Sequence, residues 1–354
     1  MSSRPPLQGS RDLPSGSPPA GSILVAGGAG FIGSHLCRAL LGRGLIVHVV
    51  DNLITGRLEN VLPFKRNRRF HFHHLDITSP QFLRRFFDQP FAAIYHLACP
   101  TGVPNIKRLG KEMLETCSIG TRQVLELARH HQAKVLFTSS CEVYGQAAVT
   151  PQAEDYAGYV ASTGPRSAYE EGKRFAEAFI THYVRELGLT ANIVRLFNVY
   201  GPNMSPQDQR VLPQCLNAIR QDRRLPVYGD GRQSRTFAYV TDVVDALQLV
   251  MSSGGNGEVY NIGDDHPISI EDLARLVISL SGVETDIEYL PHFTEDHQRR
   301  LPALQKIKAL GWEPAVSLTE GLIKMMTAWG IQKTDRVYKP ASALERQTVP
   351  VPVD

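Results

Sequence analysis

A glycine-rich turn between a short apolar run and a helical pattern is the feature that most constrains the fold. The run Ser22-Ile23-Leu24-Val25-Ala26 leads into Gly27-Gly28-Ala29-Gly30-Phe31-Ile32-Gly33, a helical pattern follows through Leu41, and residues 45–50 form a second apolar run before Asp51. This order predicts a βαβ nucleotide-binding unit, in which the glycines let the backbone approach a pyrophosphate at a helix N-terminus. The carboxylate of Asp51 is expected to bind the adenosine ribose hydroxyls. Because it would repel a 2′-phosphate, the pattern favours NAD over NADP.

Further apolar runs continue the alternation of strands and helices, at residues 70–75, 92–97, 135–139 and 191–196. This alternation predicts an α/β fold, a Rossmann-type doubly wound parallel sheet covered by helices. From Asn198 onward the pattern is irregular and rich in proline and glycine, which indicates a smaller C-terminal substrate-binding lobe. We expect an NAD-binding domain at residues 22–197 with a returning segment at about 236–262, and the substrate-binding lobe at residues 198–235 and 263–332.

Composition and charge exclude several classes of protein. The chain has 354 residues, a hydrophobic share of 42% and a net charge of +3, so neither nucleic acid nor an anionic membrane is an expected partner. The five cysteines are odd in number and lack metal-ligand spacing, which predicts reduced thiols, a cytoplasmic protein and no bound metal. No apolar run approaches the roughly 20 residues of a membrane span. The polar ends, residues 1–21 and 333–354, are predicted to be flexible tails.

Tyr169 and Lys173 lie four residues apart in Tyr169-Glu170-Glu171-Gly172-Lys173. On a helix such residues share one face, so the phenol and the ammonium can point into one site. A free tyrosine has a pKa of about 10 and is a poor base at neutral pH, but a nearby cation favours the phenolate. We expect Lys173 and a bound nicotinamide cation to lower the pKa of Tyr169 by about three units. Such a tyrosine can remove a proton from a sugar hydroxyl while a hydride leaves the same carbon.

Motifs along most of the chain resemble the extended short-chain dehydrogenase/reductase family that acts on nucleotide sugars. They are the glycine turn, His96-Leu97-Ala98, Glu142-Val143-Tyr144-Gly145, the Tyr169/Lys173 pair and Arg195-Leu196-Phe197-Asn198-Val199-Tyr200-Gly201-Pro202. Within that family the chain is most similar to the UDP-glucuronate decarboxylases (UDP-xylose synthases). The segments that are similar to those of the decarboxylases are His96-Leu97-Ala98-Cys99-Pro100, the stretch from Gly164 to Arg174, Gln298-Arg299-Arg300-Leu301-Pro302 and Leu310-Gly311-Trp312-Glu313-Pro314.

The resemblance implies a reaction that begins with oxidation of the sugar at C4. NAD would take the hydride, with Tyr169 as base, Lys173 lowering its pKa and Ser140 hydrogen-bonding the same hydroxyl. The resulting 4-keto uronate is a β-keto acid, which loses its carboxylate, is protonated at C5 and is reduced again. Glu142 is implied to act as acid, base or water-positioning residue near C5, and Arg300 to contact and orient the uronate.

The resemblance also implies binding residues and an assembly. For NAD they are Gly27, Gly30, Phe31, Ile32, Asp51, Asn52, Thr55, Gly56, Asp76, Ile77, Leu97, Tyr169 and Lys173. For the UDP-sugar they are Asn198, Arg210, Tyr228, Arg235 and Arg300. A homodimer is implied, in which the helix of Tyr169 packs with a helix from Met113 to His130 in a four-helix bundle. The apolar residues Phe175, Ala178, Phe179 and Tyr183 fit that bundle, and they fit burial within one chain equally well.

Several positions near the expected sugar pocket depart from the decarboxylase pattern: Ile106, Glu115, Cys117, Cys141 and residues 161–163. They bear on the fate of the carboxylate more than on oxidation at C4. The alternative reaction is 4-epimerisation of UDP-glucuronate or a UDP-hexose, in which the keto-sugar rotates and is reduced from its other face. A 4,6-dehydratase typically needs an Asp-Glu pair where this chain has Cys141-Glu142. A non-catalytic NAD-sensing scaffold is the third alternative, against which the intact Ser140, Tyr169 and Lys173 argue.

Overall fold

A computed structural model describes residues 21–146, 148–291 and 300–331. The two predicted tails lie outside these residues apart from Gly21, and so do Gln298 and Arg299. The strands are β1 Ser22–Ala26, β2 Val47–Asp51, β3 Phe70–His74, β4 Phe91–His96, β5 Lys134–Ser140, β6 Ala191–Leu196, β7 Val199–Tyr200, β8 Leu225–Tyr228, β9 Ser234–Arg235, β10 Ala238–Tyr239, β11 Val259–Ile262, β12 Ile268–Ser269 and β13 Ile287–Leu290.

Helices lie between most of the strands as far as β6, and after it the strands are shorter and less regularly separated by helices. The helices are α1 Phe31–Gly42, α2 Gln81–Phe86, α3 Val103–Arg108, α4 Gly110–Glu115, α5 Thr121–His131, α6 Ser167–Leu187, α7 Val211–Arg220, α8 Val240–Ser253, α9 Ile270–Ser281, α10 Gln305–Lys308 and α11 Leu318–Ala328. Short 3-10 turns lie at Leu58–Asn60, Leu62–Phe64 and Cys141–Tyr144. A π-helical turn at Thr116–Gly120 joins α4 to α5. Among the described helices, none is long and apolar enough to cross a membrane.

Seven parallel strands form the central sheet in the order β11-β6-β5-β4-β1-β2-β3. The sheet confirms the predicted α/β fold with a doubly wound parallel sheet. The chain winds outward in one direction from β1 to β3 and in the other from β4 to β6. Ligands bind such sheets at the carboxyl ends of the strands, where this direction reverses. The turn at Gly27 and the loop at Leu97 follow the two strands that flank this point.

Apolar side chains cover both faces of the sheet. On one face, Leu36 and Leu40 of α1 and Val243 and Leu247 of α8 belong to a cluster that continues into α7, α9 and α11. On the other face, a second cluster includes apolar residues of α2, α5 and α6. Burial of these side chains removes apolar surface from water and fixes the sheet that carries the cleft. The assignment of the later segments to separate NAD-binding and sugar-binding domains stays a prediction.

Gly33→Ala is expected to lower the free energy of unfolding by about 2 to 3 kcal/mol, because overpacking of this size forces backbone shifts. A Cβ at Gly33 would lie 2.2 Å from the carbonyl oxygen of Gly27 and 2.8 Å from the Cα of Gly28. Gly42 at the other end of α1 is the matched control, since a Cβ there would meet no described heavy atom within 4 Å. Gly42→Ala should leave stability unchanged or raise it by up to about 1 kcal/mol. Urea denaturation measures both variants, and equal effects would contradict the predicted close approach.

Candidate active site

A cleft of about 850 Å³ opens at the carboxyl ends of the central strands. Every residue predicted to bind NAD lines it: Gly27, Gly30, Phe31, Ile32, Asp51, Asn52, Thr55, Gly56, Asp76, Ile77, Leu97, Tyr169 and Lys173. Ser140, Glu142, Asn198 and Arg210 also line it. The sheet therefore brings together residues that are far apart in the sequence.

The glycine turn leaves a backbone cradle at the start of α1. Gly27 has a φ of +82°, and a Cβ there would lie 2.7 Å from the backbone nitrogen of Ala98, so only glycine fits. Gly30 is the N-cap residue and has no side chain with which to cap the first turn. The first-turn amides and the positive end of the helix dipole thus face the cleft, an arrangement that suits a pyrophosphate.

Asp51 at the end of β2 ties the glycine turn to the rim of the cleft. Its Oδ2 accepts a hydrogen bond from the backbone of Ala29 and its Oδ1 from the backbone of Leu53, both at 2.9 Å. Burial raises the pKa of Asp51, while these backbone hydrogen bonds act in the opposite direction. A Cβ at Gly56 would lie 2.5 Å from Oδ1, so the loop approaches the carboxyl closely. These residues fit the ribose of a dinucleotide, with one carboxyl both holding the turn and facing the cleft.

Lys173 on α6 lines the cleft with 2% of its surface exposed. Its Nζ donates a hydrogen bond of 2.8 Å to the carbonyl oxygen of Thr138 and lies 6.0 Å from the ring centroid of Tyr169. Burial disfavours the charged form of Lys173. Its Coulomb interactions with Cys99, Cys117 and Tyr169 have the larger combined effect and raise its pKa above the usual value. The structure thus keeps an ammonium next to the phenol, as the spacing of four residues predicts.

The pKa of Tyr169 depends on burial as well as on Lys173. Burial raises the pKa of this phenol to about 12, whereas the charge of Lys173 and a hydrogen bond with Ser140 lower it. Lys173 therefore acts in the expected direction, but alone it does not overcome the cost of burying the phenolate. The negative charge of Glu142 raises the pKa further. A cationic nicotinamide ring would add to the effect of Lys173.

Glu142 is held at the same end of the cleft by two guanidinium groups. It lies in the 3-10 turn Cys141–Tyr144, and its own backbone amide donates a hydrogen bond of 3.3 Å to the hydroxyl of Ser140. Its Oε2 accepts hydrogen bonds from Nη2 of Arg166 at 2.8 Å and from Nη2 of Arg300 at 3.1 Å. Charge-assisted contacts of this kind fix the carboxylate in one orientation.

Arg300 reaches Glu142 from a buried position outside the residues that line the cleft. It is 3% exposed, and its Nη1 donates hydrogen bonds to the carbonyl oxygens of Gly145 at 2.7 Å and Cys141 at 3.3 Å. Its side chain thus holds both ends of the turn that carries Glu142. This placement favours a positioning role over the substrate contact that the resemblance implied.

The predicted UDP-sugar residues fall into two groups. Asn198 and Arg210 line the cleft, and Nε of Arg210 already lies 2.9 Å from Oδ2 of Asp208. Tyr228 and Arg235 are not among the lining residues. The hydroxyl of Tyr228 donates to Gln214 at 3.4 Å, and Nη1 of Arg235 donates to the carbonyl oxygen of Ser234 at 2.8 Å.

The departures from the decarboxylase pattern also separate in space. Ile106 and Cys141 line the cleft. Glu115 does not line it and pairs instead with Lys111 at 3.1 Å, so it does not repel an anionic ligand there. Cys117 is buried behind the cleft in the π-helical turn. Residues 161–163 are exposed and lie outside the cleft.

Sequence reasoning missed Arg166 as a site residue. Arg166 lines the cleft and bridges Glu142 and Glu170, with its Nε 3.0 Å from Oε1 of Glu170. Arg166 and Glu170 are four residues apart, so the spacing of an ion pair on one helix face was a signal for this contact. The contact to Glu142 carried no such signal, because 24 positions separate the two residues.

Comparison with known proteins gives one family and a consistent set of relatives. The sequence model of the NAD-dependent epimerase/dehydratase family matches residues 23–263. UDP-glucuronic acid decarboxylase 1 of Xenopus tropicalis is 41% identical over 303 residues, which is 85% of this chain and 70% of that protein. UDP-glucuronic acid decarboxylase 1 of Arabidopsis thaliana is 40% identical over 306 residues, which is 86% of this chain and 69% of that protein.

Solved structures with the same fold include two nucleotide-sugar enzymes. UDP-glucose 4-epimerase of Thermotoga maritima, solved with UDP-glucose, superposes with a TM-score of 0.81 at 32% identity and covers 87% of this chain and 98% of its own. The dTDP-glucose 4,6-dehydratase of Streptomyces venezuelae, solved with NAD bound, superposes with a TM-score of 0.79 at 28% identity. It covers 87% of this chain and 97% of its own.

Proposed function

Because the chain belongs to the NAD-dependent epimerase/dehydratase family, we propose that it converts UDP-glucuronate through a 4-keto intermediate and decarboxylates it. The product is UDP-xylose or UDP-4-keto-pentose. The chain is an NAD-dependent enzyme. The observation that carries the proposal is the carboxylate of Glu142, held by two guanidinium groups at the end of the cleft where Tyr169 and Lys173 meet.

The first step is oxidation of the sugar at C4. The phenolate oxygen of Tyr169 removes the hydroxyl proton, and the ammonium of Lys173 stabilises the phenolate. The hydroxyl of Ser140, which hydrogen-bonds Tyr169, orients the same sugar hydroxyl. NAD, which the glycine turn and Asp51 would hold, would supply the hydride acceptor for C4 and the hydride donor when the sugar is reduced again. Tyr169 returns its proton to the C4 oxygen when the sugar is reduced again.

The second step is loss of the carboxylate from the 4-keto uronate. The bond between C5 and the carboxylate breaks, carbon dioxide leaves, and the electron pair passes into an enolate at C4. Tyr169 and Ser140, which both line the cleft, would hydrogen-bond the enolate oxygen. Glu142, fixed by Arg166 and Arg300, positions the water or proton that protonates C5.

We assign the nucleotide to the end of the cleft lined by Asn198 and Arg210. Arg210 would exchange its contact with Asp208 for the diphosphate, since a guanidinium binds a phosphate in a fork. Tyr228 and Arg235 remain proposed contacts for the uridine and the diphosphate, which requires their side chains to turn toward the cleft.

The experiment is incubation of the purified protein with UDP-glucuronate, followed by proton NMR of the products. A UDP-pentose signal and release of carbon dioxide support the proposal. Formation of UDP-galacturonate would overturn the proposal in favour of 4-epimerisation. The UDP-glucose 4-epimerase of Thermotoga maritima catalyses a reaction of that class. Unchanged UDP-glucuronate in the presence of NAD, together with turnover of a neutral UDP-hexose, would overturn the substrate assignment.

A homodimer is part of the proposal, and so is a cytoplasmic location. α4, the π-helical turn and α6 lie side by side and expose apolar residues: Leu114 at 46%, Ile119 at 39% and Phe175 at 53%. Pairing this face with its copy would bury them in a four-helix bundle.

Phe175→Glu is expected to shift the protein from dimer to monomer in sedimentation equilibrium, because it buries a charge at the contact. Ile323→Glu, at a 49% exposed residue of α11, should leave the mass unchanged.

A further inference from the structure

We propose that Cys99 and Cys117 are an oxidisable thiol pair at the wall of the cleft, which a hydroperoxide converts into a disulfide with Cys99 as the first nucleophile. This site is independent of the sugar chemistry proposed above. It rests on the placement of two sulfur atoms by elements that are distant in the sequence.

The two sulfur atoms lie 3.8 Å apart. Cys99 follows β4, lines the cleft and is partly exposed, whereas Cys117 is 1% exposed in the π-helical turn. A Cβ at Gly172 of α6 would lie 3.4 Å from Sγ of Cys117, so α6 packs tightly against this thiol. A disulfide needs the sulfur atoms about 2 Å apart. Formation of the disulfide therefore requires the loop of Cys99 to move toward Cys117, which the packing of α6 holds in place.

The electrostatic environment makes the two thiols unequal. The contact with Cys117 lowers the pKa of Cys99 to about 7, burial opposes this, and the ammonium of Lys173 lowers it further. The same contact and burial raise the pKa of Cys117. Burial raises the pKa of Cys141 to about 11 and that of Cys215 to about 12. Since the thiolate is the nucleophile, Cys99 is the thiol that reacts first near neutral pH.

The oxidation balances with one hydroperoxide per pair. The Cys99 thiolate attacks the outer peroxide oxygen, the O–O bond breaks, and Cys99 becomes a sulfenic acid while the released oxygen leaves as water or an alcohol. The Cys117 sulfur then attacks the sulfenic sulfur, the S–O bond breaks and a second oxygen leaves as water. The two thiols lose two electrons and two protons, and a dithiol reductant reverses the reaction.

The test is to treat the whole protein with hydrogen peroxide, block remaining thiols with N-ethylmaleimide and digest it with trypsin. Cys99 lies in the peptide of residues 86–107 and Cys117 in that of residues 112–122, so the disulfide joins two separate peptides. We expect this cross-linked pair, and its loss after dithiothreitol. Recovery of both cysteines as maleimide adducts, or a disulfide to a third cysteine, would overturn the proposal.

A second measurement, the rate of alkylation of each cysteine, uses the wild-type protein. At pH 7, iodoacetamide should alkylate Cys99 at least about tenfold faster than Cys141, because the thiolate fractions differ by more than that. Equal rates would overturn the assignment of Cys99 as nucleophile.

In Cys117→Ser, the oxidation should stop at a sulfenic acid on Cys99 that dimedone traps. In Cys99→Ser, Cys117 should remain a free thiol, and its oxidation at the wild-type rate would also count against the proposal.

Discussion

Tyr169→Phe should reduce kcat by about 10³-fold or more, with little change in thermal stability or NAD affinity. General base catalysis contributes about 10² to 10⁴-fold, and the phenol is the group assigned to remove the C4 proton. Phenylalanine keeps the ring that lies 6.0 Å from the Lys173 ammonium and removes only the hydroxyl. The measurements are the rate of product formation by NMR and the binding of NAD by calorimetry.

Tyr159→Phe is the matched control for this variant. Tyr159 is 72% exposed and lies outside the residues that line the cleft, so loss of its hydroxyl should leave kcat within about twofold of the wild type. A Tyr169→Phe protein that keeps a tenth or more of the wild-type kcat would exclude the phenol as the base. A drop in kcat in both variants would indicate damage to the protein during preparation and not an effect at the active site.

Glu142→Gln should reduce release of carbon dioxide by about 10²-fold or more while C4 oxidation continues, because Tyr169 and Lys173 are untouched. The amide keeps the shape of the side chain but leaves Arg166 and Arg300 facing a neutral group. Because Arg300 is 3% exposed, we also expect a loss of a few kcal/mol in stability. The measurements are carbon dioxide release and detection of the 4-keto uronate by mass spectrometry after borodeuteride trapping.

Glu171→Gln provides the comparison for that variant. Glu171 is also an acidic residue paired with an arginine, but its contact to Arg174 is 3.7 Å long and both side chains are 37% exposed. An exposed pair of this kind contributes at most about 1 kcal/mol, so activity and stability should stay near wild type. Carbon dioxide release at the wild-type rate in Glu142→Gln would remove Glu142 from the decarboxylation step.

Much of the fold and the cofactor cleft could be predicted from local sequence. The apolar run at residues 191–196 matches β6, and Asp51 stands at the end of β2 as expected. Strands in a parallel sheet are short apolar runs, and the residues just after them meet at one edge of the sheet. For this reason every residue predicted to bind NAD lines the cleft.

The π-helical turn between α4 and α5 was not predicted. The family resemblance implied one helix from Met113 to His130, and the structure has a π-helical turn within it at Thr116–Gly120. A single extra residue in a helical turn leaves no clear mark on apolar periodicity. This turn nevertheless decides where Cys117 lies relative to Cys99.

The sequence alone determined the order of strands and helices, the phosphate-binding turn and the pairing of Tyr169 with Lys173, because each depends on residues within one or two helical turns or at one strand end. Only the tertiary structure decided that burial raises the pKa of Tyr169, that Arg300 holds Glu142 across 158 positions, and that two cysteines meet beside Lys173. Desolvation and long-range contacts depend on how distant segments pack together, and the chemistry of the cleft depends on both.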